Sequence, residues 1–259
     1  MEIKFIDKKI MKYLKLFEKF EDWITVSDEA YSDVQDLHEI GVVSDKELSE
    51  LRKLRHVERE ILQYTGVGNL NLDNCTLLKS LPAGLKVNGM LNLNKCTSLE
   101  SLPADLTVIG YLSLGGCTAL TSIPAGLKVR DLSLIGCMSL ESLPAGLTVD
   151  RNLSLYGCTS LTSLSAGLEV GNTLSLNGCT SLESVPTDLA VGNLDLANCT
   201  GLRSLPAGLV VRGNLDLYGC TSLTSLPAGL VVKRDLTLGD CTGLKSLPAD
   251  LKVGGNIYR

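Results

Sequence analysis

The sequence predicts an α/β solenoid: a superhelix of short coils with one parallel concave sheet of about nine or ten strands, preceded by an N-terminal helical cap. Three observations predict this fold. Nine cysteines recur at a nearly constant spacing, an L-x-L pattern precedes each of them, and the aromatic residues are unevenly distributed. All three Phe, both His and the single Trp lie before residue 57, whereas all nine Cys and all eight Pro follow residue 74. We therefore predict a helical cap, residues 1–66, and a solenoid, residues 67–259.

The cysteines set the period of the repeat. Successive cysteines are 21, 21, 20, 21, 21, 20, 21 and 21 residues apart, at Cys75, Cys96, Cys117, Cys137, Cys158, Cys179, Cys199, Cys220 and Cys241. Each unit reads approximately L-x-L-x-x-C-T-x-L-x-S-L-P-A-G-L-x-V; nine units are present, and residues 254–259 begin a tenth. A repeat this long and this regular predicts stacked coils that bury their apolar side chains against each other.

Each part of the unit has a structural interpretation. The alternation that begins at Leu91 predicts a short strand with its Leu pair facing inward, and stacking would pair these strands about 4.8 Å apart. Gly116 and its equivalents follow the strand, where a sharp turn needs a positive φ. Val87 precedes Leu91 by four positions, whereas Val129 in a 20-residue unit precedes Leu132 by three. We therefore predict a small extra turn or bulge before most strands.

The first 66 residues predict helices. One apolar face spans residues 6–24, a second helix follows a cap at Ser27, and a third begins with the capping-box pair Ser44 and Glu47. The apolar positions of the three are Ile10, Leu14, Phe17, Phe20 and Ile24; Tyr31, Val34 and Leu37; and Leu48, Leu51, Leu54, Val57 and Ile61. Because the first coil of a solenoid exposes an apolar end, these helices are expected to cover it. A recruitment or secretion module is the alternative.

The cysteine column has two possible interpretations. Cysteines are metal ligands and redox groups, so nine of them could form a metal or redox array. Zinc sites, however, use clustered C-x₂-C pairs, and these cysteines never come closer than 20 residues. We interpret each as a small buried residue inside the turn, whose weak S–H donor bonds a carbonyl of a neighbouring coil. We expect no metal, no cofactor and no disulfide ladder.

Composition excludes several classes of function. The net charge of −5 lacks the basic excess of a protein that binds nucleic acid, and no apolar run is long enough for a membrane span or a secretory signal. The repeats contain no His to act as a base for their many Ser hydroxyls, so no nucleophilic site is indicated. His38 and His56, near Glu39 and Glu58, are the remaining candidates for catalysis. We expect a cytoplasmic protein that is not an enzyme.

The repeat resembles the leucine-rich-repeat family, whose core signature L-x-x-L-x-L-x-x-N/C-x-L has a period of 20 to 29 residues. The resemblance covers roughly residues 67 to 259. The L-P pair, the Cys at the ladder position and the short period make it most similar to bacterial short-repeat members, including secreted effectors of pathogens. It implies a right-handed superhelix whose protein partner binds on the concave sheet.

Departures from the repeat identify candidate contact residues on that sheet. Tyr and Ile side chains place large contact groups among small polar residues, and two adjacent strands each carry an Asp at the same position. Like charges directly opposite are destabilising unless a cation or a partner Arg offsets them. The predicted partner-binding residues are Tyr111, Asp131, Ile135, Tyr156, Asp195, Asp216, Tyr218 and Asp235. They would form an acidic and aromatic patch that binds a basic or amphipathic protein segment. The alternative is that these solvent-exposed positions differ between repeats by neutral variation alone.

The sequence after the last cysteine contains no cap, so we expect an exposed sheet edge and exposed apolar ends in the ninth coil. The predicted function is a non-enzymatic protein-protein interaction scaffold. Two alternatives stay open: a self-assembling structural solenoid that forms a homodimer through its C-terminal end, and the recognition part of a secreted bacterial effector.

Overall fold

The computed structural model describes residues 28–39 and 41–259. Two helices precede the coils, α1 (Asp28–Glu39) and α2 (Asp45–Gln63), as predicted for the second and third helical patterns. The predicted first helix, residues 6–24, and the predicted cap at Ser27 lie outside the described residues. The capping box of α2 is confirmed: the Glu47 amide donates to the Ser44 hydroxyl at 3.3 Å, and the Ser44 amide donates to the Glu47 carboxylate at 2.8 Å.

Helix α2 and the first coil share one apolar core. Five apolar residues of α2 and the first strand's Leu pair belong to the same buried cluster: Leu48, Leu51, Leu54, Val57, Ile61, Leu70 and Leu72. Polar contacts join the same two regions. The Thr76 hydroxyl donates to the Glu50 carboxylate, and the Tyr64 hydroxyl donates to the Gly68 carbonyl at 2.7 Å.

The coils contribute ten strands to one parallel ladder, the main ladder, which confirms the predicted sheet. Leu partners Leu at every step except the last, where Leu236 partners Ile257, so the inward-facing residues form a continuous column. The strands of the main ladder are β1 (Leu70–Asn71), β3 (Leu91–Asn92), β5 (Tyr111–Ser113), β7 (Asp131–Ser133), β9 (Asn152–Ser154), the second halves of β10 (Glu169–Ser175) and β11 (Ala190–Asp195), β13 (Leu215–Asp216), β15 (Leu236–Thr237) and β17 (Ile257–Tyr258).

A second, narrower ladder runs beside the first and was not predicted; it is interrupted once, because its first two strands pair only with each other. It consists of two-residue strands at the L-x-V end of each unit, whose Val side chains are buried in the core. Its strands are β2 (Lys86–Val87), β4 (Thr107–Val108), β6 (Lys128–Val129), β8 (Thr148–Val149), the first halves of β10 and β11, β12 (Val210–Val211), β14 (Val231–Val232) and β16 (Lys252–Val253).

The two ladders meet at the predicted irregularity. Where the 21-residue coil of β10 pairs with the 20-residue coil of β11, the register shifts between Val170 and Thr173. The extra residue of the longer coils is therefore accommodated between the ladders, which leaves both registers intact on either side. This confirms the bulge expected from the spacing of Val and Leu.

The turn after each main strand has the predicted conformation. Gly116 has φ 74° and its Gly equivalents are similar. Lys95 occupies the same place with φ 59°, a region that L residues adopt at a cost of about 1–2 kcal/mol. The turn geometry is thus set by the stacking of the coils, and a residue with a Cβ is held in it where glycine is missing.

Candidate functional site

The outward side of the main ladder, the predicted concave face, is called the sheet face below. It has three columns of side chains: a central column between the two Leu of each strand, and one column on each flank. The central column is Asn71, Asn92, Ser113, Ser133, Ser154, Ser175, Asp195, Asp216, Thr237 and Tyr258. The first flank is Asn69, Met90, Tyr111, Asp131, Asn152, Thr173, Asn193, Asn214, Asp235 and Asn256. The second flank is Asp73, Asn94, Gly115, Ile135, Tyr156, Asn177, Ala197, Tyr218 and Gly239.

Three of the predicted residues, Tyr111, Asp131 and Ile135, line a shallow depression in the middle of the sheet face. The side chains of Tyr111, Ile135 and Tyr156 are 38%, 44% and 53% exposed. Tyr111 and Ile135 stand on opposite flanks of an open depression of about 330 Å³, whose floor includes Ser133. Tyr156 follows Ile135 on the next coil, where its carbonyl accepts the Gly136 amide at 2.8 Å. We call the depression lined by Tyr111, Asp131, Ser133 and Ile135, together with Tyr156 on the next coil, the anchor depression.

The two acidic residues predicted on the first flank bond to the coil that follows. Asp131 accepts the Asn152 amide at 3.2 Å and its side-chain nitrogen at 2.7 Å, and Asp235 accepts the Asn256 amide at 2.8 Å. The same contact is made by neutral residues of this column, since Asn193 accepts the Asn214 amide at 3.0 Å. The flank is therefore a polar ladder between coils, in which a carboxylate and an amide oxygen are equivalent for the fold.

The two acidic residues of the central column lie directly beside each other. Asp195 and Asp216 are register partners on β11 and β13. Each directs one carboxylate oxygen to an amide two residues later: Asp195 accepts from Ala197 at 3.0 Å, and Asp216 from Tyr218 at 2.9 Å. The second oxygen of Asp195 accepts the Ser175 hydroxyl at 2.9 Å. Within residues 28–39 and 41–259, the second oxygen of Asp216 accepts no hydrogen bond.

Tyr218 is held by a residue that the sequence reasoning missed. Its hydroxyl donates to the carboxylate of Asp240, which stands three residues beyond the end of the next main-ladder strand. This hydrogen bond, and then the negative charge of Asp240, raise the pKa of Tyr218 above its ordinary value. The Tyr218 ring covers Gly239, where an added Cβ would lie 2.9 Å from the ring. The sequence did contain a signal for this arrangement: Gly239 follows Tyr218 in the second flank and has no side chain, so it leaves room for the Tyr218 ring.

The cysteine column lies inside the coils, away from the sheet face. All nine thiols are free and buried. Eight of them donate to the carbonyl of the second Leu in the preceding coil, at 2.9 to 3.2 Å, as predicted. Burial raises the pKa of the Cys75, Cys117 and Cys158 thiols to about 11. These groups are therefore protonated at neutral pH, and thiolate is the form that attacks or binds metal.

The ninth coil is less well covered than the coils before it. Leu244 and Leu247 are only partly buried, whereas their equivalents Leu223 and Leu226 are 0% and 5% exposed. They line a second open depression of about 300 Å³, with Lys245 beside them. Tyr258 in β17 is 51% exposed. The apolar side chains expected to be exposed at this end are therefore partly accessible.

The remaining candidates for catalysis are two histidines on the helices. The His38 ring nitrogen lies 2.8 Å from the carboxylate of Asp45, and the Asp45 side chain is fully exposed. The sequence had instead suggested Glu39, the neighbour of His38, as its partner. His56 lies beside Arg52, Arg55 and Arg59. In the described part of the chain, no group of three or more His, Cys, Asp or Glu side chains is arranged to hold a metal ion.

Comparison with solved structures finds a protein of a similar kind. Neither a protein-family model nor a curated protein matches the sequence. The chain is similar to a leucine-rich repeat protein from Bacteroides ovatus ATCC 8483, with 18% sequence identity and a TM-score of 0.33. The matched part covers 65% of this chain and 59% of that chain. Among the described residues, no helix is both long and apolar enough to cross a membrane. The parallel ladders and the 20- to 21-residue period themselves identify the fold as a leucine-rich-repeat-like solenoid.

Proposed function

We propose that this protein is a non-enzymatic interaction scaffold, and that it binds a partner protein on the sheet face. The observation that carries the proposal is the anchor depression. Tyr111 and Ile135 expose apolar surface on opposite sides of the depression, and Tyr156 exposes more on the next coil, on a face whose other residues are mostly small or polar. Contiguous exposed apolar surface with a polar rim is typical of protein-binding sites, and Tyr is enriched in them.

The chemistry of the repeats supports binding over catalysis. The sheet face carries hydroxyls, amides and carboxylates, but none of its hydroxyls stands beside a histidine base, since the repeats contain no His. The thiols are buried, and burial raises their pKa. We propose on the same grounds that the protein needs no metal or cofactor and does not bind nucleic acid or a membrane. Helices α1 and α2 would act as the cap of the solenoid, residues 1–66, with the coils forming the second unit, residues 67–259.

A partner-capture experiment tests the proposal. The double variant Tyr156→Asn with Asp216→Asn replaces two face residues by a type that other coils carry in the same columns, as Asn177 and Asn92 show. We expect quantitative mass spectrometry to show loss of the partners retained by the unaltered chain. The control Met138→Ser changes a side chain that is 55% exposed but lies outside the three columns, and it should retain them. Equal capture by the face variant and the control would contradict the proposal.

A second candidate function is self-assembly through the ninth coil, favoured by the partly buried Leu244 and Leu247. A homodimer would cover these side chains. Measuring the mass against protein concentration discriminates the two, because a scaffold for a foreign partner has no need to self-associate. A role as the recognition part of a secreted bacterial effector is a further proposal that follows from the resemblance of the repeat alone. A cytoplasmic location is proposed from the free cysteines and from the sequence pattern of residues 1–66.

A further inference from the structure

The charge on the sheet face has one sign. Its three columns contain five carboxylates, Asp73, Asp131, Asp195, Asp216 and Asp235, and no Lys or Arg. Among the residues that the structure describes, the one Lys or Arg within 4.0 Å of any of them is Arg151, at the edge of the face beside Asp131. Carboxylates on a face whose columns contain no positive charge repel each other and attract cationic groups. The face is therefore complementary to a positively charged partner.

The repeat provides an internal control, which shows that the fold does not need these charges. Asp195 and Asp216 each accept a hydrogen bond from the amide two residues later, and Asn92 makes the same bond to Asn94 at 3.1 Å. On the first flank, Asn214 accepts the Asp235 amide at 3.1 Å, just as Asp235 accepts from Asn256. A neutral oxygen thus accepts the same backbone-amide hydrogen bond that Asp131, Asp195, Asp216 and Asp235 accept. The negative charge is left without a structural explanation.

The two features of the sheet face are separated by a fixed distance. The anchor depression is centred on β7, and the paired carboxylates lie on β11 and β13, three and four strands further along the main ladder. Strands about 4.8 Å apart place them roughly 14 to 19 Å from the depression. An extended segment rises about 3.3 Å per residue, so about four to six residues would span that distance.

We propose that the partner is a linear segment that crosses the strands, with an apolar side chain in the anchor depression and a Lys or Arg pair at Asp195 and Asp216, about four to six residues away. This inference rests on the proposed function and specifies the partner's chemistry. The carboxylates suit the role because backbone amides fix one oxygen of each. The free oxygen of Asp216 is then oriented toward an incoming cation before binding, which lowers the entropy lost in the contact.

The test uses the full chain and a phage-displayed library of random twelve-residue segments. We expect enriched sequences to carry a Leu, Ile, Met or aromatic residue four to six positions from a basic pair. A synthetic copy of the strongest one is then titrated by fluorescence anisotropy. The variant Asp195→Asn with Asp216→Asn should weaken binding about tenfold, and so should Ile135→Asn. Shortening the spacing in the peptide by three residues should weaken binding similarly.

A matched control removes the same amount of charge elsewhere. Glu141→Gln with Glu183→Gln changes two exposed carboxylates outside the sheet face, and binding should stay within about twofold of the unaltered chain. An equal loss in this control, enriched sequences without cations, or no enriched sequence at all would overturn the inference. If those results came with loss of captured partners in the variant Tyr156→Asn with Asp216→Asn, the scaffold function would stand and only the partner's chemistry would be wrong.

Discussion

The inner columns and the sheet face arise from the same repeat but tolerate variation very differently. Inside, Leu91, Leu112 and Leu132 partner each other at successive steps, and Cys recurs at one position in every complete coil. Outside, the central column changes from Asn to Ser to Asp to Thr along the same ladder. The inner residues are constant because each must fit the coil above and the coil below. Outer residues contact solvent on one side, so they can vary without disturbing the packing of the coils and can determine which partner binds.

The largest expected effect concerns the buried thiols together and is driven by pH. The unfolded chain releases thiol protons near pH 9, whereas burial raises the pKa of Cys75, Cys117 and Cys158 to about 11. Between these values the unfolded state binds fewer protons than the folded state, so the free energy of unfolding falls as pH rises. One pKa unit corresponds to about 1.4 kcal/mol, so these three thiols alone should lower the free energy of unfolding by more than about 5 kcal/mol by pH 10.5.

Urea titrations at pH 8, 9, 10 and 10.5 measure this loss. The variant Cys158→Ala, though less stable at pH 8, should show a shallower decline above pH 9 because one titrating group is gone. If the free energy of unfolding fell equally steeply in this variant, the loss at alkaline pH would come from lysines or tyrosines. The cysteine column would then not explain it.

A smaller effect compares two neighbouring residues that belong to the two regions. Leu155 is 0% exposed and Tyr156 is 53% exposed. We expect Leu155→Ala to lower the free energy of unfolding by about 2–5 kcal/mol, because it leaves a cavity between coils. The change Tyr156→Ala should stay within about 0.5 kcal/mol. Urea unfolding monitored by circular dichroism measures both, and comparable losses would mean that the sheet face is structural after all.

The smallest effect concerns the turn that follows each main-ladder strand, in the coil where Lys95 replaces the usual glycine. Lys95 has φ 59°, so Lys95→Gly removes backbone strain but adds freedom to the unfolded chain. The net expectation is a gain of about 0.5–1 kcal/mol. The reciprocal change Gly116→Ala, at φ 74° with no atom closer than 3.5 Å to the new Cβ, should cost about 1 kcal/mol. If both variants were destabilised, another interaction of the Lys95 side chain would outweigh its backbone strain.

The difference between the regions also explains what the sequence could predict. The sulfur-to-carbonyl bond of Cys158 was predictable, because a small buried donor at a constant position has only a neighbouring coil to bond with. The bulge at Val170 followed from a one-residue change in spacing. The capping box of Ser44 and Glu47 is a local pattern that needs no tertiary information.

Contacts between different coils were harder to predict. The second ladder was missed because two-residue strands such as Lys86–Val87 are too short to show alternation. The bond from Asp235 to Asn256 joins residues 21 apart, and a polar outward residue in a sequence is indistinguishable from a solvated one. The position of the Asp195–Asp216 pair was predictable from the register, but the fixing of one oxygen of each by its own backbone was not. Exposure of Tyr111, Ile135 and Tyr156 agrees with the prediction of contact residues, whose role stays a prediction.

The sulfur-to-carbonyl bonds give the solenoid a direction. Each thiol donates to a carbonyl of the preceding coil, as Cys117 does to Leu93 and Cys220 to Leu196. The acceptor is therefore always synthesised before its donor. On the ribosome, each carbonyl is available to a cysteine that is synthesised 24 residues later in these two cases, so the bond does not require distant sequence. The solenoid is thus suited to assemble in the order in which it is made, one coil templating the next.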